Sequence, residues 1–134
     1  GSEMCIRDRL YTVFMSKEAF IKLSGENISG RYSEPGGKPS VFFSRGDGRY
    51  YLTFGPDCIR LVKRGESEYE LFFREGETSS VKINALGATL DSFEMTTHKL
   101  VLSLNGSFIT ANAEYSFAGE ENIRAISIEC IIAD

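Results

Sequence analysis

The feature that most constrains this chain is its punctuation. From about residue 18 onward, short runs of β-branched and aromatic residues are broken at short intervals by glycine or by a turn-forming pair. The breaks fall at Asp47-Gly48, Gly55-Pro56-Asp57, Gly65, Gly76, Gly87, Asn105-Gly106 and Gly119. Asn-Gly and Asp-Gly favour the tight turns that join antiparallel strands, because both central residues of such turns need positive φ. Between the breaks the apolar residues alternate. Ile109, Ala111, Ala113, Tyr115 and Phe117 fall on one face against Thr110, Asn112, Glu114 and Ser116 on the other. Tyr69, Leu71 and Phe73 share a face, as do Leu100, Leu102 and Leu104, and Ile126, Ile128, Cys130 and Ile132. Period two with one apolar face is the pattern of a half-buried strand. Further strands are expected over 20–23, 40–44, 50–54, 59–63, 80–84 and 89–95, which makes roughly eight to ten in all. No stretch shows sustained helical periodicity. So many strands joined in sequence by tight turns escape exposed edges by closing, and the expected fold is all-β: a small antiparallel up-and-down barrel of the calycin or lipocalin kind.

With 134 residues the chain has room for one such domain and for a hydrophobic core that needs neither disulfides nor metals. Gly1-Ser2 looks like the scar of a removed tag, and residues 3–9 resemble adapter read-through in assembled genomic data. Residues 1–14 are therefore set apart and 15–134 are taken as the barrel domain. A formal charge of −4 disfavours a nucleic-acid surface, which depends on clustered Lys and Arg. The nearest basic cluster, Arg60, Lys63 and Arg64, is followed at once by Glu66, Glu68 and Glu70. The three cysteines, Cys5, Cys58 and Cys130, have no metal-ligand or disulfide spacing, and one histidine cannot build a histidine-rich site. No metal or other cofactor is expected. No apolar run approaches the ~20 residues that cross a bilayer as a helix, so no membrane partner is expected and a reducing cytoplasm is the default compartment.

The second half of the chain, residues 58 to 131, resembles the YwiB-like family of small bacterial proteins, a domain of unknown function with a calycin-type barrel. The resemblance rests on Leu61-Val62-Lys63-Arg64-Gly65, on Leu71-Phe72-Phe73-Arg74-Glu75-Gly76, and on the turn Asn84-Ala85-Leu86-Gly87 followed by Thr96-Thr97. Gly106, Tyr115 and the last strand, 122–129, complete it. The chain departs from the family where Ile83, Asn84 and Ala85 stand in place of a Tyr, Thr and Pro. The resemblance implies a cytoplasmic bacterial barrel whose calycin relatives commonly carry small apolar molecules.

No catalytic constellation stands out. His98 follows Thr96-Thr97 in an expected hairpin connection, with no carboxylate or nucleophile beside it in sequence, so catalysis is not assigned. Arg64 ends an apolar strand at a turn. One expectation is a strand-end cation paired with Glu66 or Glu68; the other is a mouth residue gripping a carboxylate or phosphate while apolar residues hold a tail. On the second expectation the ligand-binding residues are Arg64, Tyr69, Phe73 and Tyr115. Two functions follow: a module for a small apolar or amphipathic ligand, or a structural or protein-interaction domain that docks a protein partner or a second copy through an exposed apolar strand face.

Overall fold

A computed structural model describes residues 16–133; the segment 1–14, with Cys5, lies outside them. Ten antiparallel strands account for most of the described chain: β1 (Lys17–Leu23), β2 (Glu26–Ser33), β3 (Ser40–Arg45), β4 (Gly48–Phe54), β5 (Cys58–Arg64), β6 (Ser67–Arg74), β7 (Thr78–Ala85), β8 (Ala88–Asn105), β9 (Phe108–Phe117) and β10 (Arg124–Ile132). Each pairs with its neighbours in sequence, and β1 pairs with β10, so the sheet closes into an up-and-down barrel. A short 3-10 turn, Pro35–Gly37, joins β2 to β3. Among the described residues no helix is long and apolar enough to cross a membrane, which leaves strands out of account.

Alternation decides what the barrel contains. Phe43, Leu52, Phe54, Ile59, Phe73, Val81, Met95, Ile109 and Cys130 point inward and are almost wholly buried. They belong to one contiguous hydrophobic cluster. Ala111 and Ala113 on β9 leave room for the three inward Phe rings, so this ten-stranded barrel is filled by its own side chains.

Two strands differ from the sequence expectation. β2 contains only Ile28 and Tyr32 as inward apolar residues and has Gly30 between them, so it does not read as a strand. The glycine is required by packing, since a Cβ there would collide with the Phe42 carbonyl and come within 2.9 Å of Ile21 Cδ1. The windows 89–95 and 100–104, expected as separate strands, are both parts of the 18-residue β8. A bulge between Thr97 and Lys99 leaves His98 as the extra residue. It moves the inward phase from Phe93, Met95 and Thr97 to Leu100 and Leu102, and a phase change in an unbroken strand imitates a turn. His98 is therefore in mid-strand, not in a hairpin connection. Two-residue turns also sit one position away from the expected pairs: Gly46-Asp47 joins β3 to β4, and Gly106-Ser107 joins β8 to β9.

Candidate functional site

The barrel wall is thinnest at two seams, β2–β3 with three residue pairs and β6–β7 with two. β5 and β6 pair from Cys58↔Arg74 to Lys63↔Tyr69, and β7 and β8 pair along the length of β7. β6 and β7 pair only at Ser67↔Ala85 and Glu68↔Asn84. Beyond that the two strands diverge, and the Ser79 hydroxyl donates to the Phe72 carbonyl at 3.3 Å in place of a backbone bond. At the far end the turn after β6 reaches past β7 to β8, where Gly76 N donates to Thr97 O at 2.8 Å and Thr97 N to Glu77 O at 3.0 Å. β8 is irregular on both sides of this region, with register shifts opposite Ile83/Asn84 and at His98. Bulges raise local twist, which swings β7 away from β6.

The seam opens a cleft of about 520 Å³ lined by Arg64, Glu68, Tyr69, Glu70, Phe72, Ser80, Lys82 and Asn84. That volume lies within the ordinary range for small-molecule sites. Its charges are unevenly committed. Glu70 is held by Arg60 at 2.8 Å. Arg64 donates only to the Lys63 carbonyl, at 3.4 Å, and among the described residues it forms no ion pair, with Glu66 or Glu68 or otherwise. Lys82 and Glu68 are likewise without an ion pair among the described residues. Directly across from Arg64 on β4 stands Arg49, also exposed and without an ion pair there. Two cations facing each other across a ladder repel, and an anion beside Arg64 would offset that repulsion.

The four residues expected to bind a ligand are split by the pleat. Tyr69, Phe73 and Tyr115 point inward, with the Phe73 and Tyr115 rings edge to face at 5.3 Å. Arg64 points outward, and the inward cation is its neighbour Lys63, whose Nζ donates to Ser67 Oγ at 2.7 Å and lies 5.7 Å from the Tyr69 ring centre. Tyr69 is the residue common to both sets, because it lines the cleft and packs against the core. Burial first, then the neighbouring Tyr50 and Tyr115 phenols, push the Tyr69 phenol above its usual range, while Arg45 draws it back. Lys82 carries no sequence signal of its own, whereas Phe72 belongs to the aromatic residues that could line either a filled core or a pocket. Phe72 is an apolar residue in the outward phase of β6, and that mismatch marks it.

His98 does have a hydroxyl beside it, since Nε2 lies 2.7 Å from Ser116 Oγ. Among the described residues nothing bonds its Nδ1, and it does not line the β6–β7 cleft. Among the described residues no acid orients the pair. Cys58 and Cys130 are free thiols, and Cys130 is wholly buried. Among the described residues no group of three His, Cys, Asp or Glu side chains is arranged to hold a metal.

No family model matches the chain, and no curated protein is similar to it. Among solved structures, the ywiB protein from Bacillus subtilis is similar with a TM-score of 0.68, covering 89% of this chain and 89% of that one at 12% identity. At that identity the likeness is one of fold.

Proposed function

We propose that this chain is a divergent bacterial relative of the YwiB-like, calycin-type barrels and a binding module for a small amphipathic ligand, acting in a reducing cytoplasm. The ligand site is the β6–β7 cleft rather than the barrel interior, which side chains already fill. The observation that carries the proposal is the early end of the β6–β7 ladder, which opens a cleft containing two uncommitted cations beside two aromatic rings. Arg64 would take a carboxylate or phosphate head group in a bidentate grip and Lys82 would add a point charge. Phe72 and Tyr69 offer the apolar surface for a short tail. Glu68 supplies an acceptor, so a head group that also carries a hydroxyl or ammonium donor suits the cleft better than a bare anion. The family assignment draws on the turn and strand motifs of residues 58 to 131 together with the shared fold. The compartment draws on free Cys58 and Cys130.

Titration calorimetry with octyl phosphate against octanol tests the reading. Binding of the phosphate and not of the alcohol is expected, weakened about tenfold in Arg64→Ala and further in Arg64→Ala/Lys82→Ala, and weakened by added salt. Equal binding of the two compounds, or an unaltered affinity in the double variant, would refute it.

A further inference from the structure

On the opposite side of the barrel the β9–β10–β1–β2 ladders are long, and one cross-strand row on their otherwise polar outer surface is apolar. Phe20 on β1, Ile131 on β10 and Phe108 on β9 are consecutive cross-strand partners in one row, 49%, 55% and 42% exposed. Taking about 200 Å² for each large side chain, the row exposes roughly 300 Å² of contiguous apolar surface, within the size range of the largest patch on a typical monomer, which is often functional. A groove of about 320 Å³ runs beside it, bordered by Ile28, Ser29 and Asn27 of β2 and by Lys22 and Glu129.

The charges around the row indicate which partner. Two residues along β1 from Phe20, in one direction, is Lys22; two residues in the other is Glu18. Both are exposed and neither makes an ion pair among the described residues. We infer that the face docks a second copy of this chain, about a two-fold axis running along the Phe20–Ile131–Phe108 row. Such an axis lays each row on its own copy and exchanges the flanking positions, so that Lys22 of each copy meets Glu18 of the other. The face is thus self-complementary, which an isologous interface requires. A second copy supplies the matching anion and cation at the required spacing about the apolar row. The patch is small, so the dimer forms at high concentration and separates on dilution.

Sedimentation equilibrium of the full chain from about 10 µM to about 1 mM brackets a weak interface of this kind. The average mass should rise from 14.9 kDa toward twice that value across the series. Ile131→Glu should remain monomeric throughout, with an unchanged circular dichroism spectrum because the residue is exposed. Lys22→Glu should weaken association about tenfold, and Lys22→Glu/Glu18→Lys should restore it. A wild-type mass that stays at the monomer value overturns the inference, as does an Ile131→Glu variant that associates like the wild type. Failure of the double charge exchange to recover association overturns the two-fold arrangement.

Discussion

The two walls of the barrel solve the same problem in opposite ways. In the β9–β10–β1–β2 wall the ladders are long and regular, so backbone groups are satisfied by neighbouring strands and the inward side chains Ile21, Ile109, Ile128 and Cys130 are sealed. Its outer face is then free to be apolar without loosening the fold. In the β6–β7 wall the ladder stops after two pairs; Phe73 and Val81 are still buried, but Tyr69, Leu71 and Ile83 towards the cleft are only half-buried, and the outer face is charged. Closure of a sheet therefore does not require every seam to be tight. Where the longer seams hold the barrel closed, a short one can be spared for recognition.

The contrast can be broken in graded steps. Ile128→Ala in the tight wall should cost about 3 kcal/mol by leaving a cavity that regular ladders cannot collapse, whereas Ile83→Ala at the seam should cost about 1 kcal/mol; denaturant unfolding of the two variants measures the difference. Alkaline pH should strain the tight wall next. Burial pushes the Cys130 thiol from its ordinary 9.0 up to about 11. Below about pH 9 the thiol is protonated folded or unfolded and its contribution is intact; as the pH rises toward about 11 the unfolded thiol ionises first, and stability falls by about 2 kcal/mol. The Tyr32 phenol, raised by burial and by its 2.7 Å bond to Glu34, acts in the same direction at higher pH. Unfolding midpoints compared near pH 8 and pH 10.5 should therefore drop, with a shallower drop in Cys130→Ala. At the boundary between the walls, the Thr97 hydroxyl is wholly buried with no hydrogen-bond partner among the described residues. Thr97→Val should raise stability by about 1 kcal/mol, read from the same unfolding curves. Smallest is the exposed Arg60–Glu70 pair on the rim of the cleft, where Arg60→Ala should cost no more than about 0.5 kcal/mol.

How far each wall could be read from sequence follows from the same contrast. Alternation in 109–117 and 126–132 located β9 and β10 well, because one sealed face against one outer face is what a period of two records. It failed at β2, where Gly30 supplies close approach instead of apolar content, and at β8, where the bulge at His98 reverses the phase within one strand. The seam was not legible, since nothing in β6 or β7 alone states how many pairs they form with each other. Arg64 and Tyr69 were singled out and both line the cleft, but with Phe73 and Tyr115 behind Tyr69 and Arg64 on the outer face, the four do not converge on one interior pocket. Phe20, Phe108 and Ile131 were readable in principle, as large apolar residues in the phase assigned to water.

Amide hydrogen exchange resolved by residue, with and without saturating octyl phosphate, tests most directly whether the β6–β7 seam is an open, ligand-accepting wall. In the free protein those amides of 69–72 and 79–83 that face across the seam, not those bonded to β5 or β8, should exchange well ahead of those of 128–131, and octyl phosphate should slow the seam-facing amides alone. Equal protection of the two walls in the free protein, or slowing that spreads to the interior strands or fails to appear at the seam, would contradict it.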